Sequence, residues 1–235
     1  MECLPVILAG GFGKRLGHLT EKTPKPLLIV NKKPFLFWVL KFLKRNKLSK
    51  AVVSTGYLSN SFEIFLNDYN KVDFNLTLIK EKDALGTGGA ILNVINNYSF
   101  SENKLLILNG DSLLLEDLDL DLNINHNCIW AKKVINSSKY GTLKLEKDSS
   151  FLKSFDEKVA GTGLVNAGIY LVDKSYFLNL NDKVLSMEKD VIPTFLKDNI
   201  KIKVIESPAN FIDIGTPDDL LLAEKFIIKN SSFFD

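Results

Sequence analysis

A glycine-rich turn with two cations follows the first apolar run of the sequence. Residues 8–16 read LAGGFGKRL, which places Lys14 and Arg15 among glycines. Glycine lets backbone N–H groups approach a ligand closely, and neighbouring cationic side chains neutralise charged oxygens. Arg15 is one of two arginines among thirty basic residues, and a planar, permanently charged guanidinium suits phosphate recognition. The turn therefore predicts a site for a di- or triphosphate.

Two common phosphate-binding loops do not fit this turn. A Walker A loop would need glycine at Leu8 and Ser or Thr at Arg15, and a dinucleotide fingerprint that starts at Gly11 would need glycine at Leu16. The missing glycine disfavours a dinucleotide-dependent oxidoreductase.

A third cation lies between two prolines, in the cluster Pro24-Lys25-Pro26. Proline fixes its own φ and biases the residue before it toward extended backbone. We therefore expect an extended Lys25 whose ammonium group has little local freedom, which suits a preorganised partner for phosphate.

Two aspartates end apolar runs, where an α/β sheet binds its ligands. Asp111 comes shortly after the apolar residues 105–108, and Asp213 ends another apolar run. Mg²⁺ takes oxygen ligands and needs only one or two protein carboxylates beside phosphates and water. Asp111 and Asp213 are therefore the predicted magnesium ligands. Asp218 and Asp219 follow a Thr-Pro pair and instead suit the first turn of a helix.

Apolar runs alternate with segments of helical periodicity in the first half of the chain. Expected strands there cover residues 4–8, 51–57, 76–79 and 105–108. Expected helices cover residues 34–45, 61–68 and 89–95. This alternation indicates βαβ units and a parallel sheet.

The second half is mixed. Expected strands cover residues 128–134, 141–146, 164–172 and 202–205, with a hairpin turn at 147–150 and helices at 187–196 and 217–228. We predict an α/β fold with a Rossmann-like, open, mixed but mainly parallel sheet flanked by helices.

Composition limits the classes of partner. A chain of 235 residues with 46% hydrophobic content can bury the core of one domain. Net charge is +2 with scattered basic residues, which argues against nucleic acid and membrane partners. No apolar run reaches the roughly 18 residues that cross a bilayer, and signal-peptide features are lacking, so we expect a cytoplasmic protein. Cys3, Cys128, His18 and His126 lack the spacing of a zinc site or disulfide framework.

Together, the glycine turn and the Pro-Lys-Pro cluster resemble the signature of the sugar-1-phosphate nucleotidyltransferases, LAGGxGTRLxPLT followed by PKP. Further segments that resemble this family are Glu81, LGTGGA at 85–90, LNGD at 108–111, YG at 140–141, EK at 157–158, VNAG at 165–168, EK at 188–189 and FIDIGT at 211–216. The sequence departs from the signature at Lys14, where the family has Thr, and at Gly17 and His18, near its usual Pro.

The resemblance implies a nucleotidyltransferase fold of the GT-A-like type with a smaller mixed lobe for the sugar. It implies a single domain over residues 1–235, with a nucleotide-binding part at about 1–115 and a sugar-phosphate-binding part at about 116–235.

It also implies roles for individual residues. The nucleotide is expected at Leu8, Ala9, Gly10, Gly11, Gly13, Lys14, Arg15, Lys25, Glu81, Gly86, Thr87, Asn109 and Asp111. The sugar 1-phosphate is expected at Gly141, Glu157, Lys158, Asn166, Lys189 and Asp213. Arg15, Lys25 and Asp111 are expected to be catalytic, and Asp111 and Asp213 to bind Mg²⁺.

The implied reaction is attack by a sugar 1-phosphate oxygen on the α-phosphorus of a nucleoside triphosphate, which releases pyrophosphate. The segments GTGGA, VNAGIY and MEKDVIP most resemble guanylyltransferases for heptose 1-phosphate or mannose 1-phosphate. GTP and a manno-heptose 1-phosphate are therefore the expected substrates, in the synthesis of surface glycans such as capsule or lipopolysaccharide. Cytidylyl, uridylyl or thymidylyl transfer to another sugar or small phosphate stays open, as do a non-catalytic nucleotide-sensing subunit and a homo-oligomer.

Overall fold

The computed structural model describes residues 3–68, 74–123, 125–157, 161–180 and 184–235. The strands in these ranges are β1 (Cys3–Ala9), β2 (Ile29–Val30), β3 (Lys33–Pro34), β4 (Lys50–Thr55), β5 (Asn75–Lys80), β6 (Lys104–Asn109), β7 (Ser112–Leu114), β8 (Asn127–Val134), β9 (Gly141–Leu145), β10 (Leu152–Glu157), β11 (Gly163–Asp173), β12 (Ile202–Ser207) and β13 (Phe211–Asp213). The α-helices are α1 (Phe35–Arg45), α2 (Asn60–Asp68), α3 (Gly86–Asn97), α4 (Leu120–Asn123), α5 (Ile192–Lys197) and α6 (Pro217–Lys229). Lys14–Thr20 is a 3₁₀ segment that is interrupted at Gly17, Lys25–Leu27 is a single 3₁₀ turn, and a π turn spans Met187–Val191.

The central sheet has a parallel part and an antiparallel part. Its strands run in the order β10-β9-β11-β6-β1-β4-β5, and β8 pairs with β11 and with β12. Strand β1 is parallel to β4 and β6, whereas β11 is antiparallel to β6, β8 and β9. Leu8 is opposite Asn109 in the β1–β6 ladder, so the carboxyl ends of these two strands are neighbours. Two small sheets pair β7 with β13 and β2 with β3.

Strand β1 shows why the sheet is covered on both faces. Ile7 and Ala9 belong to one buried cluster, and Leu4 and Val6 belong to the other, because successive strand residues point to opposite faces. The first cluster includes residues of α1, α2 and α6, and the second includes residues of α3 and α5. Such double burial explains why the strand is a continuous apolar run rather than an alternating one.

The predicted fold class, a mixed sheet flanked by helices, is confirmed. Several strands and helices begin or end at other residues than predicted. The predicted hairpin turn joins the antiparallel strands β9 and β10. The strand expected at 51–57 ends at Thr55, because the chain turns at Gly56, where a Cβ would lie 2.9 Å from the Gly10 carbonyl oxygen. The helix expected at 187–196 is divided into the π turn and α5, because Pro193 has no N–H to donate to the preceding turn.

Sequence patterns did not predict the short strands β2, β3, β7 and β10. Strands β8 to β11 continue the central sheet rather than forming a separate one. Within the described ranges, no helix is both long enough and apolar enough to cross a bilayer.

Replacing Phe42 by Ala tests the contribution of the α1 side of the core. Phe42 is 1% exposed, and removal of a buried Phe side chain costs about 3–5 kcal/mol through lost transfer free energy and the cavity left behind. We expect the free energy of unfolding, measured by denaturant titration, to fall by that amount. Leu221 of α6 is 65% exposed, so Leu221→Ala should change the free energy of unfolding by less than about 0.5 kcal/mol. Equal losses in the two variants would contradict this assignment of the core.

Candidate active site

The glycine turn carries the chain from β1 into the 3₁₀ segment Lys14–Thr20. Gly13 has φ of 63° and ψ of 30°, in the left-handed region, and a Cβ there would lie 2.9 Å from a Thr20 methyl group. The Thr20 hydroxyl donates to the Gly13 carbonyl at 3.2 Å. This closed turn leaves Lys14 and Arg15 exposed at its start, where a ligand can reach both.

A cavity of about 500 Å³ lies at the carboxyl ends of β1 and β6 and is termed the glycine-turn cavity. Its lining includes all thirteen residues predicted to contact nucleotide. Residues that were not predicted complete the lining: Phe12, Pro26, Ala84, Ala90 and Gly215.

Lys25 and Asp111 form an ion pair in this cavity, between the ammonium group and a carboxylate oxygen. Lys25 is buried, and it begins the 3₁₀ turn Lys25–Leu27, so the extended conformation predicted for it is wrong. Pro24 is the extended residue, with φ of −56° and ψ of 141°. Pro26 fits within the first turn because its missing N–H costs no hydrogen bond there.

Glu81 is a buried carboxylate in the wall of the glycine-turn cavity. Its Oε1 accepts a hydrogen bond from the Ser54 hydroxyl at 3.1 Å, and its Oε2 accepts one from the Leu85 N–H at 3.4 Å. Burial raises the pKa of Glu81, because the ionised form loses hydration, while the two hydrogen bonds act in the opposite direction. Gly10 makes room for this carboxylate, since a Cβ on Gly10 would lie 2.3 Å from Oε1.

A second cavity of about 260 Å³ adjoins the first and is termed the Asp213 cavity. Three residues predicted for the sugar phosphate line it, namely Gly141, Asn166 and Asp213. The two cavities share Arg15, Asn109 and Asp111. Ligands in the two cavities would therefore meet at the end of β6.

Asp213 is the last residue of β13. It is opposite Ser112, the first residue of β7, and Ser112 follows Asp111 in the chain. The Oδ1 atom of Asp213 accepts a hydrogen bond from the Tyr140 hydroxyl at 3.0 Å. Burial raises the pKa of Asp213, and the charges of Asp219 and Asp111 raise it further, although the Tyr140 hydrogen bond opposes them. Burial, together with the Asp213 charge, also raises the pKa of Tyr140, so Tyr140 remains a neutral donor.

Helix α6 adds a further carboxylate next to this site. The Thr216 hydroxyl accepts from the Asp219 N–H at 3.3 Å, which confirms the predicted N-cap. Asp219 is 7% exposed, and the Lys139 ammonium lies 3.2 Å from its Oδ1. A Cβ on Gly215 would lie 2.8 Å from Asp213 Oδ2 and 3.4 Å from the Arg15 guanidinium, so only glycine lets these groups approach one another.

Hydrogen bonds through the buried Tyr170 connect the two cavities. The Asn166 amide donates to the Tyr170 hydroxyl, which donates to Glu188 Oε1 at 3.2 Å. Glu188 Oε2 accepts from the Thr87 hydroxyl at 3.3 Å. Thr87 lines the glycine-turn cavity, while Asn166 and Glu188 line the Asp213 cavity.

The other residues predicted for the sugar phosphate are Glu157, Lys158 and Lys189. Lys189 is exposed in the π turn and is not among the residues that line either cavity. Lys158 lies outside the described residues, and Glu157 is described only by its backbone, at the end of β10.

Sequence reasoning missed Tyr140, Glu188 and Phe12 as lining residues. Tyr140 and Glu188 stand next to the predicted Gly141 and Lys189, so the segments were identified but these side chains were not. Phe12 occupies the variable position of the glycine-turn motif, and that position carries no signal.

The family model for nucleotidyl transferases matches residues 4–230. The chain is 35% identical to D-glycero-alpha-D-manno-heptose 1-phosphate guanylyltransferase of Campylobacter jejuni, over 96% of this chain and 99% of that protein. It is 32% identical to the enzyme of the same name from Aneurinibacillus thermoaerophilus, over 94% and 96% of the two chains.

Solved structures agree with these sequence matches. The crystal structure of HddC from Yersinia pseudotuberculosis has a TM-score of 0.82 and 30% identity, over 94% of this chain and 98% of that one. A second crystal structure of HddC from Yersinia pseudotuberculosis is of its complex with GMP-PN. The chain therefore belongs to the nucleotidyl transferase family, and the predicted family and enzyme class are confirmed.

Replacing Glu81 by Gln removes the buried charge and keeps the shape of the side chain. Because the pKa of Glu81 is raised, the folded protein binds this proton more tightly than the unfolded chain does, and wild-type stability falls as pH rises through that pKa. Glu81→Gln lacks this dependence. We expect the unfolding free energy of the variant, relative to wild type, to increase between about pH 4 and pH 7 in urea titrations.

Glu63→Gln is the matched control, because Glu63 is exposed on α2. Its difference from wild type should stay flat over the same pH range. A flat difference for Glu81→Gln as well would show that the Glu81 carboxylate is hydrated in solution.

Proposed function

We propose that the protein transfers a guanylyl group from GTP to a manno-heptose 1-phosphate and releases pyrophosphate, in the synthesis of an activated sugar for surface glycans. The observation that carries this proposal is the junction of the two cavities at Arg15, Asn109 and Asp111. A junction of this kind lets two phosphorylated reactants meet beside cations and carboxylates. The activity named for two relatives of nearly full length supports this substrate pair.

The two parts of the chain line different cavities, and we assign a different substrate to each part. We propose a single domain over residues 1–235, in which residues 1–115 bind the nucleotide and residues 116–235 bind the sugar phosphate. Apart from Gly215, the lining of the glycine-turn cavity comes from the first part, whereas most of the Asp213 cavity comes from the second.

Glu81 supports guanine as the base. Guanine presents two adjacent donors, N1–H and the N2 amino group, and the other common bases do not present such a pair on that edge. A carboxylate oxygen has two lone pairs, so each oxygen of Glu81 can accept a further hydrogen bond beside those from Ser54 and Leu85. We assign Glu81 to this edge of the base.

Asp111 and Asp213 fit a magnesium site. Burial raises the pKa of Asp213, and the charges of Asp219 and Asp111 add to this rise, so a divalent cation held by Asp111 and Asp213 would relieve the repulsion between these two carboxylates. In the described part of the chain, no group of three or more His, Cys, Asp or Glu residues could hold a metal, and magnesium bound to substrate phosphates needs only one or two carboxylates. When bound there, Mg²⁺ would neutralise charge on the phosphates and align them.

The protein's part in the reaction is alignment and charge neutralisation. An oxygen of the sugar 1-phosphate forms a bond to the α-phosphorus, the bond from that phosphorus to the β-phosphate oxygen breaks, and the electron pair leaves with pyrophosphate. The attacking phosphate is already ionised near pH 7, so no residue has to remove a proton. We assign Lys25 and Arg15 to the charge that develops around the α-phosphorus and Lys14 to the triphosphate.

The sugar phosphate is assigned to the Asp213 cavity. Asn166 lies where the β11–β8 ladder shifts its register, and its Oδ1 accepts from the Gly168 N–H at 2.9 Å. We assign Asn166 and Glu157 to sugar hydroxyls. Lys158 and Lys189 are assigned to the sugar's phosphate group.

Pyrophosphate release, measured with four nucleoside triphosphates against a panel of sugar 1-phosphates and small non-sugar phosphates, tests this function. We expect GTP with manno-heptose 1-phosphate to give the highest kcat/KM. Another base would leave the buried Glu81 acceptor unpaired, and this lowers kcat/KM for that base by about 10⁴-fold. Preference for UTP, CTP or dTTP would overturn the guanylyl assignment. Nucleotide binding without turnover of any pair would instead indicate a nucleotide-sensing subunit.

Asp213→Asn tests the metal assignment by removing one carboxylate charge. Metal stabilisation of the transition state amounts to several kcal/mol, so kcat should fall about 100-fold or more. Binding of Mn²⁺, followed by electron paramagnetic resonance in the presence of GTP, should weaken in parallel. Asp218→Asn is the control, because Asp218 is exposed in the first turn of α6 and lines neither cavity. Unchanged Mn²⁺ binding in Asp213→Asn would remove Asp213 from the metal site.

A further inference from the structure

A third cavity, of about 540 Å³, adjoins the glycine-turn cavity and is termed the Tyr57 cavity. Four residues line both cavities, namely Gly10, Phe12, Glu81 and Ala84. The border between the two cavities therefore consists of a glycine, an alanine, a buried carboxylate and an aromatic ring. None of the roles assigned above uses the space beyond this border.

Phe12 and Tyr57 form an aromatic pair at the border. Their ring centroids are 5.1 Å apart with an interplanar angle of 44°. Tyr57 is anchored at two points, because its N–H donates to the Gly10 carbonyl at 3.3 Å and its hydroxyl donates to the Glu21 carbonyl at 3.0 Å. Phe12 is 49% exposed, so one part of an otherwise supported ring is left open to a ligand.

We propose that Phe12, supported by Tyr57, is the wall on which the base of the bound nucleotide stacks, and that the base extends over Gly10 toward the Tyr57 cavity. This inference rests on the proposed function in taking a nucleoside triphosphate as the ligand and Glu81 as the partner of the base edge. A base whose edge is held by Glu81 presents its face to the neighbouring side chains. Phe12 is the aromatic residue that shares both cavities with Glu81 among the described lining residues.

The Phe12 ring also lies near Lys14, the cation that we assign to the triphosphate. The Lys14 ammonium lies 5.8 Å from the centroid of the Phe12 ring, within the range of a cation–π interaction. Phe12 thus connects two parts of one nucleotide, since it contacts the base and holds the neighbouring Lys14 near the phosphates. A base-stacking role is separable from a phosphate role, because a ligand without a base reports on phosphate contacts alone.

The test is calorimetric binding of the preferred nucleoside triphosphate, and of inorganic tripolyphosphate, to wild type, Phe12→Ala, Phe12→Leu and Phe12→Tyr. Stacking of a base on an aromatic ring implies that Phe12→Ala and Phe12→Leu raise the nucleotide Kd on the order of 10-fold. Phe12→Tyr should retain wild-type binding, and the tripolyphosphate Kd should rise no more than about 3-fold in Phe12→Ala and Phe12→Leu, because the loss of an exposed cation–π contact to Lys14 is a small effect. Leu178→Ala is the control, because Leu178 is 62% exposed and lines neither cavity.

Two results would overturn the inference: an unchanged nucleotide Kd in Phe12→Leu, or an equal loss of tripolyphosphate binding. Failure of the proposed function gives a different result. If wild type prefers UTP or CTP and the Phe12 variants still lose nucleotide binding alone, the guanylyl assignment falls while the stacking wall stands. If wild type binds no nucleoside triphosphate more tightly than tripolyphosphate, both proposals fall.

Discussion

The ion pair between Lys25 and Asp111 fixes the point at which the two main cavities meet. The backbone that carries Asp111 is held at both ends of the turn after β6. The Gly110 N–H donates to the Leu8 carbonyl at 2.9 Å, and the Ile214 N–H donates to the Asp111 carbonyl at 3.0 Å. A Cβ on Gly110 would lie 2.8 Å from that Leu8 oxygen. One lysine–carboxylate contact therefore depends on β1, β6 and β13 together.

The lining of the glycine-turn cavity could be predicted from sequence because its geometry is nearly local. Parallel strands end at the same edge of a sheet, so residues that follow β1, β5 and β6 converge without knowledge of distant pairings. The glycine turn, the segment that begins at Glu81 and the Asn-Gly-Asp turn all follow such strands. The α/β alternation that gave the fold class depends on the same regularity. Lys25 lines the glycine-turn cavity, but the extended conformation predicted for it was wrong, because a 3₁₀ turn accommodates Pro26.

The Asp213 cavity depends on contacts that no local pattern encodes. Tyr140 donates to Asp213 across 73 residues of sequence, and the antiparallel strands that bring them together are out of chain order. Asn166 reaches the Asp213 cavity at a register shift of β11. The π turn decides which member of a Glu-Lys pair lines the cavity, since adjacent side chains in a helical turn point in different directions. Sequence alone therefore identified the segments that line this cavity better than the individual side chains.

The cations of the site differ in how they are held, and that difference suits the two tasks of a transfer reaction. Lys25 is buried and paired, so its charge needs no reorganisation when the reaction proceeds. An ammonium group has three donors, so Lys25 can keep Asp111 while it donates to a phosphate oxygen. Arg15 is exposed and lines both cavities, so its planar fork can adjust to each arriving phosphate. In the proposed reaction, a fixed charge would lie beside the reacting phosphorus, and an adjustable charge would lie where the two substrates meet.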